Sequence, residues 1–420
     1  MNNVGAHLGR VLAIVVAGLI SGPAAAFTWY SWGSTESLSV TTAYGLPTGG
    51  DLTSATRARV ECTVPVHDVV DELCVFAPTT ILVDTHVATL MKGSSATSLA
   101  VTLQSGTQSA CDTDTSGVDY AAQTDEMSVE FSATGVATIT RLLYRIRHNT
   151  QFSTSWLCGS AGDSALSAAS TFYWSFAGIH ELSDTVEYNS ETLIAEGGTW
   201  KNLCMHMDTE PGASNTMTYT VDLDGSPQSL VVALSGTGAS AIDGCDTNSA
   251  HSFTGNAASS ISLSSAPTGG TPADTFGTWS IALDAKNRAH YNAPVAIRDT
   301  ANAAATDYME VWGAESDYNA VESRNQQAMG PIARFDHLYT EIAVFGTACS
   351  TWTTTLRVSG AAELSTTHNA ANVQHDTTDP VVAESDDLLS YSIVGGLCGP
   401  GTTPNIHATL GVMGRQRRIW

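Results

Sequence analysis

Residues 202–206 (NLCMH) lead through 220–236 (TVDLDGSPQSLVVALSG) to Cys245-Asp246-Thr247, and the same landmarks occur in the same order upstream. There 72–76 (ELCVF) lead through 87–106 (VATLMKGSSATSLAVTLQSG) to Cys111-Asp112-Thr113. The offsets are 130 residues between Cys74 and Cys204 and 134 between Cys111 and Cys245. Self-similarity at so long a period means that one folding unit recurs, each copy with its own core. A fainter third copy follows in His337-Leu338-Tyr339-Thr340, in 356–360 (LRVSG) and in His375-Asp376-Thr377.

After each Asp-Thr comes a segment that alternates apolar and polar residues: 126–132 (EMSVEFS), 259–265 (SSISLSS) and 388–394 (LLSYSIV). Further alternation marks 99–103 (LAVTL) and 217–221 (MTYTV). A period of two puts one face of a strand on a core and the other in water, as antiparallel sandwiches require. Helical periodicity is confined to 318–329 (YNAVESRNQQAM). The expected fold is all-β: three tandem antiparallel β-sandwich, jelly-roll-like domains at 27–160, 171–287 and 300–420, each of about seven or eight strands.

The first 26 residues are set apart from that fold. Arg10 precedes the apolar run 11–20 (VLAIVVAGLI), and Gly22-Pro23-Ala24-Ala25-Ala26 offers a cleavage site before Phe27. Charge, short apolar run and small residues in that order predict a signal peptide, and the run is too short to span a bilayer. The mature chain is therefore expected outside the cell or on a particle surface, with no membrane span. The formal charge of the full chain, −24 from 41 acidic and 17 basic residues, repels phosphate backbones and excludes nucleic acid as a natural partner.

An even number of cysteines, eight, in an exported chain predicts disulfides. If the first two copies superpose, Cys74–Cys111 and Cys204–Cys245 are equivalent bridges. Cys349–Cys398 would serve the third copy, leaving Cys62 and Cys158 near the first and last strands of the first.

Chemistry is sparse. Gly162-Asp163-Ser164 has the local look of a hydrolase serine but lacks the strand-to-helix setting such a nucleophile needs. Asp125-Glu126, Asp386-Asp387 and Glu181 offer carboxylates for glycoside hydrolysis, yet the first two pairs fall at the same turn of two copies, where Asp serves the backbone. A structural calcium is the one ligand the spacing favours, at Asp112, Asp114 and Asp119, with a lesser candidate at Asp222 and Asp224. Aromatic clusters (Phe27, Trp29, Tyr30, Trp32; then Phe172, Tyr173, Trp174, Phe176) open two copies, and Trp312 opens the third. They read as packing residues or as a sugar-stacking platform.

The order of segments in 202–283 (NLCMHM, TVDLDG, LVVALSG, CDTNS, SSISLSS, TWSIAL) resembles jelly-roll modules of phage and environmental-virus structural and receptor-binding proteins. That resemblance implies a particle-surface or attachment component that self-associates and meets a cell-surface glycan or receptor, and no enzyme. The rival expectation is a secreted carbohydrate-binding protein, with or without glycoside hydrolase activity.

Overall fold

The computed structural model describes residues from 27 to 416, leaving out, among shorter stretches, 35–41, 78–83, 135–141, 180–184, 254–258, 271–274, 286–290, 298–305, 316–321, 345–349 and 397–406. The expected leader, 1–26, lies outside the described residues. Nearly everything described is strand, with one turn of 3-10 helix at Arg57–Arg59. Most of 318–329 lies outside the described residues, and its described end, Gln327–Ala328, is strand rather than helix.

The first unit contains β1 (Phe27–Ser34), β2 (Thr42–Gly45), β3 (Cys62–Thr63), β4 (Asp68–Phe76), β5 (Thr85–Lys92), β6 (Ser95–Leu103), β7 (Ser109–Tyr120), β8 (Glu126–Thr134) and β9 (Leu143–Thr150). One sheet runs β1-β9-β4-β7 and the other β2-β8-β5-β6, with β3 added on β8. Apart from β2–β3 and the β5–β6 hairpin, consecutive strands cross between the sheets, which is the jelly-roll winding. The alternation predicted from sequence is visible in the core: Leu90, Leu99, Val101, Val129 and Phe131 from one sheet meet Val70, Leu73, Tyr144 and Ile146 from the other.

The second unit repeats the order. It comprises β10 (Thr154–Ser160), β11 (Phe172–Trp174), β12 (Gly178–Ile179), β13 (Thr192–Ile194), β14 (Gly198–Met207), β15 (Gly212–Leu223), β16 (Ser226–Gly236), β17 (Ile242–Phe253), β18 (Ser259–Thr268) and β19 (Gly277–Ala285). Its sheets are β12-β10-β19-β14-β17 and β11-β18-β15-β16, with β13 on β18. The sequence reading places 154–160 at the end of the first module; its hydrogen bonds run to β19, in the second roll.

The third comprises β20 (Tyr291–Asn292), β21 (Val295–Ile297), β22 (Thr306–Met309), β23 (Gly313–Glu315), β24 (Gln327–Ala328), β25 (Ala333–Val344), β26 (Thr351–Val358), β27 (Ala361–His368), β28 (Asn372–Asp376), β29 (Val381–Ala383), β30 (Leu388–Gly396) and β31 (His407–Gln416). Its main orders, β23-β21-β31-β25-β28 and β22-β30-β26-β27, map strand for strand on the second roll and, without β23, on the first.

Local devices recur with the topology. The hairpin between the two strands that end each second sheet is a two-residue turn in every roll, closed at Lys92–Ser95, Leu223–Ser226 and Val358–Ala361. Asp224-Gly225 and Ser359-Gly360 take left-handed φ values of 49° and 73°, and of 48° and 83°, which fit the primed turn of a right-twisted hairpin. β4, β14 and β25 each carry a register shift just ahead of Leu73, Leu203 and Leu338. Beyond it the three leucines pair with Asp112, Asp246 and Asp376.

Those aspartates explain why Asp-Thr recurs in the sequence. Asp112 Oδ2 accepts the Ala100 amide at 2.9 Å, Asp246 Oδ2 the Val231 amide at 3.1 Å, and Asp376 Oδ2 the Ser365 amide at 2.8 Å. Each bond joins the edge strand of one sheet to the edge strand of the other, closing the same side of each sandwich. It satisfies an edge amide that would otherwise be left to water or to another chain.

Candidate functional site

The most structured polar region among the described residues is where the first roll meets the second. Strand alternation sets it up. Leu157 of β10 points into the second roll's core, while Trp156 and Cys158 on the opposite face join the core of the first. The same outer face carries Ser160, Thr278 and Ser280, with Asn202 and His206 on β14.

Segment 57–65 of the first roll lies across this face. Ser160 Oγ donates to the Arg59 carbonyl, Thr278 Oγ1 to that of Glu61 at 2.6 Å, Ser280 Oγ to that of Thr63 at 2.5 Å, and Asn202 Nδ2 to that of Pro65 at 3.0 Å. An extended chain turns every second carbonyl to one side, so four side chains read four alternate residues. Cys62, in the middle of the segment, is disulfide-bonded to Cys158, with Cα atoms 6.3 Å apart. The pairing of Cys62 with Cys158 is the one expected, but it links two rolls rather than two strands of one. Arg59 stacks over Phe276, 3.5 Å from the ring centroid, and reaches Asp208 at 3.8 Å.

Beside the ladder sits a cluster of ionisable groups. His206 Nδ1 lies 2.6 Å from Asp243 Oδ1 and 3.2 Å from Glu126 Oε1. Glu61, 3% exposed, accepts from Arg57 Nε at 2.7 Å. Burial opposes a charged imidazole, but the hydrogen bonds and charges of Asp243 and Glu126 override it and raise His206 to about 10. Burial, reinforced by the charge of Glu126, pushes Glu61 upward against the pull of Arg57. Nothing in the sequence placed Glu61, Glu126 and His206 together, because they come from two repeats.

A second constellation is equally invisible in sequence. Ser31 Oγ lies 2.8 Å from His148 Nε2, and His148 Nδ1 lies 2.6 Å from Asp68 Oδ2, the connectivity of a serine-hydrolase triad. All three residues have 0% exposure. Trp29 stacks on the imidazole at 4.0 Å, Trp156 Nε1 donates to Asp68 Oδ2 at 3.0 Å, and Ser31 Oγ donates to the Pro47 carbonyl at 2.8 Å. With all three residues buried, Trp29 on the ring and Ser31 bonded to Pro47, the group packs as a hydrogen-bonded plug in an apolar core.

The residues singled out from sequence separate. Asp112 holds the Ala100 amide; Asp114 accepts from Ser98 and Ser116, which with the Ser116 amide lower its carboxyl to about 2; Asp119 pairs with His67 at 2.7 Å. The three calcium candidates thus have separate protein partners. Asp224 Oδ1 accepts the Ser260 amide at 2.8 Å, and Asp222 is buried. Asp125 and Asp387 each accept a backbone amide of their own turn, from Ala121 and Glu384. Trp29, Tyr30, Trp174 and Phe176 are buried in packing, so they form no exposed platform. Asp163, Ser164, Glu181, Trp312, Asp386, Cys349 and Cys398 lie outside the described residues. Cys74–Cys111 and Cys204–Cys245 are disulfides at equivalent cross-strand pairs, with Cα atoms 4.0 and 4.1 Å apart. Among the described residues no helix is long and apolar enough to cross a membrane.

No protein-family model and no curated protein matches the chain. Among solved structures, the atomic structure of Sulfolobus turreted icosahedral virus is similar at 11% identity, covering 83% of this chain and 79% of that one, with a TM-score of 0.20. A triple jelly roll fold of an archaeal virus, described with its turret assembly, matches at 10% identity over 84% and 81%, TM-score 0.19. The naturally occurring empty particles of cowpea mosaic virus match at 10% identity over 63% and 89%, TM-score 0.22. The jelly-roll assignment rests on this chain's own strand order.

Proposed function

We propose that the chain is an exported structural protein of a particle or cell surface, a building block of three jelly rolls that self-associates and presents loops for attachment. The observation that supports this reading is the joint between the first two rolls. A disulfide and four side-chain bonds to consecutive alternate carbonyls fix one sandwich against another. Binding modules on a flexible string have no need of such a lock, whereas a block that must match its neighbours in an assembly does. Among the described residues the Ser31–His148–Asp68 group is buried, and Asp125 and Asp387 hold amides of their own turns.

The same reading takes 1–26 as the leader, 27–160, 171–287 and 300–420 as the module limits read from sequence, with β10 added to the second, and Cys349–Cys398 as the third roll's bridge. Electron microscopy and sedimentation of the mature chain test it. Ordered particles, sheets or closed oligomers are expected. Monomers at every concentration and pH tried would overturn it. Attachment is tested on the same material with a glycan array, on which a flat response would remove the glycan.

A further inference from the structure

We propose that the joint between the first two rolls binds one divalent transition cation, of the zinc class, through Glu61, Glu126 and His206. One donor atom from each lies within 4.8 Å of the others. Ligand distances of about 2.0–2.2 Å let a single ion close a triangle of that size after small side-chain adjustments. An imidazole nitrogen with carboxylate oxygens is a donor set suited to zinc, while calcium takes six to eight oxygens.

The histidine supplies the second observation. Its Nδ1 lies 2.6 Å from Asp243 Oδ1 and 3.2 Å from Glu126 Oε1, so carboxylates from both rolls hold the ring in the cluster. Its Nε2 is buried and has no hydrogen-bond partner.

Charge points the same way. Glu61, Glu126 and Asp243 gather at a half-dry joint, with Arg57 engaging one oxygen of Glu61. Glu61 and Glu126 come from the first roll and His206 from the second, so the ion would cross-link the rolls beside the Cys62–Cys158 bridge.

The test is calorimetric titration of ZnCl2 into chelator-treated, dialysed mature protein, with CaCl2 in a parallel run. One saturable zinc site per chain is expected, weakened about tenfold or more by Asp243→Asn and abolished by His206→Ala. Asp112→Asn/Asp114→Asn should leave it unchanged. Should His206→Ala fail to fold, Glu126→Gln and Glu61→Gln decide, with zinc raising the melting temperature of wild type and of neither variant. No saturable zinc uptake, calcium bound in its place, or uptake that survives these substitutions would overturn the proposal.

Discussion

Tyr339 and His375 face each other across β25 and β28, ring centroids 6.0 Å apart and planes 31° from parallel, at the register position held by a disulfide in the other two rolls. In every roll this pair directly adjoins a Leu–Asp pair: Leu73 with Asp112, Leu203 with Asp246, Leu338 with Asp376. The third roll therefore keeps the cross-strand contact and replaces its covalent bond with an aromatic one. Tyr339→Cys/His375→Cys should oxidise to a disulfide with no change of register and stabilise the third roll by about 2–4 kcal/mol. Non-reducing peptide mapping and melts with and without reductant check this. Two free thiols in the folded variant would show that the strands do not pair as described.

The recurring aspartate should matter in proportion to the amide it holds. Replacing Asp246 with Ala frees the Val231 amide at an edge and removes the bonds from Asn248 and Ser249 to Oδ1, at 3.1 and 3.0 Å. A loss of about 1–2 kcal/mol is expected, measured by denaturant titration. Hydrogen exchange should rise in 226–236 and stay level in β15. Asp376→Ala should do the same for Ser365, whereas Asp114→Ala, whose carboxylate bonds the exposed Ser98 and Ser116 hydroxyls and the Ser116 and Gly117 amides of its own strand, should cost less.

Much of each roll was legible in the sequence and the joint was not, for one physical reason. Alternation reports only that a face is apolar or polar. It found the inward faces of β6, β15 and β18, and the repeat order then supplied Cys74–Cys111 and Cys204–Cys245. Ser160, Thr278, Ser280 and Asn202 also sit on a polar face, and pattern alone reads such a face as wet. That those hydroxyls meet carbonyls of 57–65 depends on how two rolls stand against each other. Ser31, Asp68 and His148 were hidden similarly, since only the winding of β1, β4 and β9 brings them together. The aspartates were legible as a motif: oxygen spacing suggested calcium, and the recurrence of one aspartate in three rolls reflects a bond to an edge amide.

Removing the ladder's hydroxyls tests whether the joint is held by more than its disulfide. Thr278→Val and Ser280→Ala together leave the Glu61 and Thr63 carbonyls without these donors. A combined loss of about 2–4 kcal/mol is expected, since each unpaired buried carbonyl costs about 1–3 kcal/mol. Calorimetry should show the first two rolls melting together in wild type and separately once Cys62→Ala/Cys158→Ala is added. A single coincident transition in the combined variant would mean that the remaining contacts, Ser160 and Asn202 on their carbonyls, Arg59 on Phe276, His206 with Glu126 and the packing of Trp156, suffice to couple them.

Acidity should tighten the contact between the second and third rolls. Glu187 is raised by burial and by the charges of Asp222 and Glu191, against a bond from Ser262; Glu191 by burial and by Glu341 and Asp224, against a bond to Ser260; Glu341 by burial and by Asp224. Glu341 belongs to β25 and the others to the second roll, so its repulsion with Glu191 and Asp224 acts between rolls, while that on Glu187 acts within the second. A carboxyl whose folded pKa exceeds its unfolded value, about 4.3 for glutamate, stabilises the fold fully below that value and loses this contribution as pH rises through the folded pKa. Asp246 works oppositely: despite burial, bonds from Ser249, Val231 and Asn248 lower it, so its contribution is present above about 3.9 and lost on further acidification. Stability should therefore be higher near pH 5 than at pH 7.5 and fall again below about pH 4. Glu187→Gln/Glu191→Gln/Glu341→Gln should flatten the upper limb and leave the acid limb in place. Melting temperatures of the mature protein from pH 3 to 8 check it, and an upper limb unchanged in the triple variant would place its cause elsewhere.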